Sequence, residues 1–408
     1  MEAADVKPLI PESSTSESSR VDSVLQDYRD GTIQIPDYQR DSDQWDDTTK
    51  SLLVESVINN LSIPAFFFEV AVDPSGIERN QVIDGQQRLT TLAAFYSNKF
   101  RLVGSNDAAY ITPNSVHYAG KTFDELPNVY KQSFAKYRLA IIKLRDLKDM
   151  RLEVFRRINQ GGTPLSGQDI RLAYYGDRSP SVTFLRLAGI YDANREAARR
   201  FIETARTKYG IDHPWRQPLS LQAWQDLWHD KELARGQTAS EMFLWSVMAA
   251  KYSELDSLLQ NQDALRKINV SYNREIDGAM DVACAQLQYQ DAHPDSPRLL
   301  FGREEIEQAY FPHFEQWIGR LATMGPSLDV RKYRTIASLI GASFKHGIRS
   351  AELSKDEWGL MVEFIRRPTE KAAELNVEWP QSKGRWDGAK GYRAQLERAG
   401  DVVQRILA

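Results

Sequence analysis

The chain has a single cysteine, Cys284, in 408 residues. That excludes an internal disulfide framework and any cysteine-rich zinc site, and it fits a reduced, cytoplasmic setting. Long hydrophobic runs are missing as well. The densest, Ala65 to Val72 and Phe243 to Ala250, fall far short of the roughly 18 apolar residues of a spanning helix, so no membrane association is expected. Residues Met1 to Arg20 have no apolar stretch behind a basic start, so no secretory leader is expected. Their Ser, Thr, Glu and Pro content reads as a disordered tail, 1–20, outside the fold. Neither charge is in excess: 52 Lys and Arg against 56 Asp and Glu give a net charge of −4. This excludes binding to nucleic acid through bulk positive charge and leaves only a local basic face. No complete Walker-type Gly-x-x-x-x-Gly-Lys-Ser/Thr motif is present, because Ser115 stands where Gly120-Lys121-Thr122 would need its first glycine, so a P-loop is not the route to nucleotide chemistry.

What is present suffices for folded cores, with 42 % hydrophobic residues and 10 % aromatics. The length predicts two or three domains. From Val21 to about Phe100 the pattern reads β-α-β-β-α. Thr32 to Ile35 is a short strand closed by Pro36. Asp46 and Asp47 cap a helix that places Leu52, Leu53, Val57 and Ile58 at helical spacing. Ala65 to Val72 and Gln81 to Ile83 are strands around the turn Asp73-Pro-Ser-Gly76. A helix from Gln86 to Asn98 follows Asp84-Gly85.

The Asp84-Gly85 junction carries the most chemistry. Gly85 lets the chain turn sharply, and the helix that opens behind it points free N–H groups and its positive dipole end outward, a site for phosphate. Gln86, Gln87 and Arg88 put two amides and a guanidinium on the first turn. The planar fork of Arg suits phosphate. Asp84 is placed to hold a metal, Mg²⁺, or to orient an attacking water. The alternative is that Asp84 caps the helix and Arg88 pairs with a nearby carboxylate. A second cluster, Ile35-Pro-Asp-Tyr-Gln-Arg40, leaves its strand and brings Tyr38, Gln39 and Arg40 into reach of the same face. Two arginines beside one pocket are costly unless an anion lies between them. The alternative there is a surface contact between Tyr38 and Arg40.

Ile35 to Arg40, Trp45, and Val82-Ile-Asp-Gly-Gln-Gln-Arg-Leu-Thr-Thr-Leu92 together resemble the N-terminal domain of GmrSD-type modification-dependent restriction proteins. Val154 to Leu165, with Asn159, Gly161 and Gly162, and Gln168-Asp-Ile-Arg171 are similar to a further stretch of that family. The family usually has Glu where this chain has Asp169. The resemblance runs from about Val21 to Tyr175. It implies a ParB/sulfiredoxin-like domain in which Gly85-Gln-Gln-Arg88 binds nucleotide phosphates. It also implies a triphosphate hydrolysis that helps control attack on modified foreign DNA. Carried over by position, Asp84, Gln86, Gln87 and Arg88 form the hydrolytic motif. Tyr38, Gln39, Arg40, Gly85, Thr90, Asn159, Gly161 and Gly162 form the nucleotide-binding set. Family members commonly carry or work beside an HNH-type nuclease. The six histidines, His117, His213, His229, His293, His313 and His346, are scattered and form no such motif, so a separate nuclease partner is expected.

From Met150 the signals are helical, with apolar residues at three- and four-residue spacing and Pro and Gly between the segments. The fold class expected is therefore α+β: a small mixed-sheet domain, 21–150, followed by a helical region, 151–408, for DNA sensing or partner docking. Two basic stretches are candidates for DNA. One is the helix from Arg195 to Arg200 with Arg206 and Lys208; its alternative is a solvated face. The other runs from Pro380 to Arg393, where Lys383, Arg385, Lys390 and Arg393 interleave with Trp386 and Tyr392; its alternative is an ordinary surface loop. The reading that unites these features is a nucleotide-hydrolysing component of an anti-phage restriction system, with Mg²⁺, DNA and a nuclease subunit as partners and self-association open. The rivals are a non-catalytic nucleotide or DNA sensor that recruits a nuclease, and a nuclease with an unrecognised site in the helical part.

Overall fold

A computed structural model of the protein describes residues 14–36, 45–72, 76–110, 113–145, 154, 157–158, 166–176, 178–228, 237–270, 272, 274–296, 300–322, 332–380 and 389–408. The chain divides into two compact units, residues 1–164 and 165–408. The division therefore falls later than the change in patterning near residue 150.

The first unit runs β1 (Ser14–Arg20), α1 (Val21–Arg29), β2 (Ile33–Gln34), α2 (Asp47–Ile58), β3 (Phe66–Val72), β4 (Glu78–Asp84), α3 (Gln86–Tyr96), α4 (Asn128–Lys136) and β5 (Arg138–Leu144). Its strands form one mixed sheet in the order β1-β5-β3-β4-β2. β3 is antiparallel to β4 and parallel to β5, and the short β2 is parallel to β4. Alternation along the strands sends Phe66 and Phe68, Val82, and Leu139 and Ile141 into a core shared with Val54, Val57, Leu89, Leu92 and Phe95 of the helices. Asp46 caps α2 as its sequence suggests, accepting from the Thr49 N–H at 2.7 Å. That hydrogen bond also holds the Asp46 carboxyl below its ordinary range.

Residues 14–20 correct part of the expected tail, and residues 1–13 lie outside the described residues. Ser14–Arg20 is the outer strand of the sheet, antiparallel to β5 from Ser14 opposite Leu144 to Arg20 opposite Arg138. Its side chains are almost all exposed. Backbone hydrogen bonds hold it, with an ion pair from Glu17 to Lys143 at 2.9 Å. A ladder of backbone groups needs no apolar side chain, so composition alone hides such a strand. A polar edge also discourages pairing with other chains.

The second unit is helical in its described residues. The helix Thr238–Ala250 is buried on nearly every side, as a helix with apolar residues around most of its circumference must be. The helix Tyr333–Lys345 lies close against it because Gly341 has no Cβ; one added there would strike the Ser246 carbonyl. Trp224, Trp228, Trp245 and Trp317 are fully buried. The rings of Trp215 and Trp224 stack at 5.1 Å between centroids, so these tryptophans are core. Among the described residues, no helix is long and apolar enough to cross a membrane.

Candidate active site at the start of α3

β4 ends on Asp84, and the chain turns at Gly85 with φ of 100° before α3 begins. Glycine is required here twice. The left-handed backbone disfavours any side chain, and an added Cβ would lie 2.5 Å from the Phe66 ring. The turn closes with the Leu89 N–H donating to the Gly85 carbonyl at 2.8 Å. No side chain caps α3 and no acidic residue lies in its first turn, so the positive end of the helix is not neutralised from within.

Asp84 does not cap the helix. Its Oδ2 accepts instead from Arg88 Nη2 at 2.6 Å, a pair one helical turn apart. Arg88 is buried, and its Nη1 donates to the carbonyls of Pro64 and Ala65, the latter at 3.2 Å. Its Cζ stands 4.9 Å from the Phe66 ring centroid. Burial lowers the Arg88 pKa, and Asp84 opposes that effect. Of the two arrangements open from the sequence, Arg88 therefore adopts the ion-paired one, and its partner is Asp84 itself. The Asp84 side chain remains 33 % exposed. The stretch Pro64-Ala65-Phe66, which seats Arg88, read in the sequence only as the entry to a strand.

Two glutamines complete the site. Gln86 is 8 % exposed and its Oε1 is buried without a hydrogen-bond partner, as is Nε2 of Gln87. Buried amide atoms left unpaired are costly, and these two lie on the first turn of α3. The Thr90 hydroxyl, by contrast, is spent on the carbonyls of Gln86 and Gln87 at 3.0 and 3.2 Å. Tyr38, Gln39, Arg40, Asn159, Gly161 and Gly162 lie outside the described residues.

A sequence comparison decides the family at this point. Residues 21–176 match the family described as GmrSD restriction endonuclease, N-terminal domain. This segment is a GmrSD N-terminal domain. No curated protein and no solved structure matches the chain. The GmrSD segment extends into the second unit and ends with the helix Gly167–Gly176. There Asp169 accepts from the Ser166 N–H and hydroxyl at 3.0 and 2.8 Å, while Ser166 Oγ accepts from the Asp169 N–H at 3.1 Å. This is a capping box, and an Asp closes it in place of the more usual Glu. Arg171 of the same helix is fully buried, with Asp277 at 2.9 Å, Asp281 at 3.6 Å and Glu241 at 3.7 Å.

The second DNA candidate is corrected in part. Tyr392 and Arg393 belong to the helix Ala389–Ile406, not to a loop. Tyr392 is 1 % exposed and shares a hydrogen bond with the Tyr272 hydroxyl, so its ring has no face open to a base. Arg393 is paired with Asp256. Lys390 begins the same helix, and Lys383, Arg385 and Trp386 lie outside the described residues. On the helix Glu196–Tyr209 and at its N-cap, Arg200 pairs with Glu196, Arg206 with Asp212 at 2.5 Å and Arg195 with Asp192 at 3.3 Å. Three of the five cations of this stretch are thus balanced by carboxylates, as on a solvated face. Among the described residues, no group of three His, Cys, Asp or Glu side chains is placed to hold a metal ion.

Proposed function

We propose that the first unit binds and hydrolyses a nucleoside triphosphate at the start of α3, as the nucleotide-dependent component of a restriction system directed at foreign DNA. The observation that carries this reading is the uncapped end of α3 with the unpaired amide atoms of Gln86 and Gln87 beside a partly exposed Asp84. Main-chain N–H groups of the first turn and the Gln87 amide suit phosphate oxygens. The Gln86 carbonyl oxygen suits a water or a hydroxyl as donor.

In this reading water attacks the terminal phosphorus and Asp84 takes its proton. The bond from that phosphorus to the bridging oxygen breaks, and the nucleoside diphosphate leaves with the electron pair. Where Mg²⁺ arrives with the triphosphate, the one Asp84 oxygen left free by Arg88 would hold it in place of taking the proton. Bound there, the ion would neutralise charge on the phosphates. The helical unit would then sense DNA or dock a nuclease partner.

Phosphate release measured with each of the four ribonucleoside triphosphates and Mg²⁺ tests the reading. Turnover that disappears in Asp84→Asn supports hydrolysis. Tight triphosphate binding without turnover would instead make the protein a sensor. Cleavage of modified or unmodified DNA by the purified chain would assign it a nuclease of its own.

A further inference from the structure

We propose that Arg88 is a positioning residue: it fixes one oxygen of Asp84 so that the other faces the open first turn of α3, and it does not touch the phosphate. The proposal rests on the hydrolytic reading above and changes the part assigned to the arginine, which the family resemblance places on the phosphate.

The guanidinium donates from a rigid plane, and three of its five N–H donors are already directed into the protein. Nη1 serves the carbonyls of Pro64 and Ala65, Nη2 serves Asp84 Oδ2, and the Phe66 ring lies alongside. Turning toward a ligand would strip both carbonyls and the carboxylate of their donor. A phosphate at the helix end offers no donor in exchange, and each buried acceptor left unpaired costs about 1–3 kcal/mol. Only 10 % of the Arg88 side chain is exposed, against 33 % for Asp84. The carboxylate is therefore what a ligand meets.

The geometry also explains why the two residues stand four apart across Gly85. The left-handed turn at Gly85 reverses the chain from β4 into α3, and one helical turn then returns Arg88 beside the strand end it has just left. Among the described residues, Asp84 Oδ2 is engaged and Oδ1 carries no hydrogen bond. A carboxylate pinned at one oxygen presents the other in a fixed direction, as a general base or metal ligand requires. The same arginine ties the start of β3 to α3, so the carboxylate is referenced to both elements at once.

Steady-state hydrolysis and the affinity for a non-hydrolysable triphosphate analogue, measured in the full chain, decide the matter. Arg88→Gln is expected to lower kcat ~100-fold, the effect of a misdirected catalytic group, while KM and analogue affinity stay within about threefold. Arg88→Lys keeps a cation for Asp84 and is expected to recover part of the kcat. The double variant Asp84→Asn with Arg88→Gln is expected to be no slower than Asp84→Asn alone, because the two side chains act as one. If Arg88→Gln does not fold, the comparison rests on Arg88→Lys. A loss of analogue affinity of about tenfold or more in Arg88→Lys, or rate losses that multiply in the double variant, overturns the proposal while hydrolysis by the wild type stands. Absence of any triphosphate hydrolysis in the wild type overturns the hydrolytic reading and the proposal together.

Discussion

Two buried arginines, one in each unit, show how the same side chain serves different ends. Arg88 lies 2.6 Å from a single carboxylate that is one-third exposed, next to an uncapped helix end. Arg171 has no exposure and faces three carboxylates, Asp277, Asp281 and Glu241, while Gln168 accepts from its Nε at 2.9 Å. Glu241 is shared further with Arg334 at 3.1 Å and the Tyr333 hydroxyl at 2.6 Å. A charge locked among several partners specifies how helices meet. A charge with one partly open partner leaves that partner available for chemistry. Both arginines lie in the GmrSD segment, so residence in the family's motifs does not by itself separate the two arrangements; the number of carboxylates around each guanidinium does, three for Arg171 and one for Arg88.

The contrast can be broken most forcefully at Arg171. Arg171→Met leaves the buried Asp281 beside an apolar side chain and takes one partner from Glu241, an expected loss of about 3–5 kcal/mol. Eight of the nine tryptophans, all but Trp45, fall in residues 165–408, so denaturant unfolding followed by tryptophan fluorescence reads this loss directly. An unchanged midpoint would mean that the cluster does not stabilise the helical unit.

His313 tests the same unit by pH. It is buried, its Nε2 lies 3.0 Å from the Ser343 hydroxyl, and burial pushes its pKa down to about 4. The folded state therefore holds a neutral imidazole that the unfolded chain protonates more readily. Its contribution is complete above pH ~6.5 and is lost progressively as the pH falls to about 4, a change of about 3 kcal/mol. His313→Gln should flatten that part of the pH dependence relative to wild type. Parallel curves for the two proteins would contradict the burial argument.

At Gly85 the expected cost is smaller in stability and larger in function. Gly85→Ala adds a Cβ at positive φ against Phe66, worth about 1–3 kcal/mol of strain. The shift of the α3 start should abolish hydrolysis while the tryptophan-monitored transition of the helical unit keeps its midpoint. Equal turnover in wild type and variant would show that the turn does not shape the site.

Much of this arrangement was legible in the sequence, for identifiable reasons. Strand-to-helix alternation and the Asp84-Gly85 junction place α3 and the turn before it, because Gly and helical periodicity act locally. The helices of the second unit follow from apolar spacing in the same way. The strand Ser14–Arg20 was hidden because its pairing with β5 uses backbone groups that every sequence possesses. β5 itself, Arg-Leu-Ala-Ile-Ile-Lys-Leu, went unread because adjacent isoleucines break a clean alternation. The inward direction of Arg88 depends on Pro64, Ala65 and Phe66, more than 20 positions away, and local pattern carries no record of such a contact. Tyr392 misled for a related reason: interleaved cations and rings look alike in a loop and in the first turn of a helix whose aromatic turns inward.

The central claim is that Asp84, held by Arg88 at an open helix end, carries the hydrolysis. The most direct measurement is kcat for triphosphate hydrolysis by Asp84→Asn, a near-isosteric change that removes the base and keeps the amide oxygen for Arg88. We predict a loss of ~10²–10⁴-fold, with the analogue affinity and the tryptophan-monitored unfolding midpoint little changed. A variant that hydrolyses triphosphate at the wild-type rate would contradict the account.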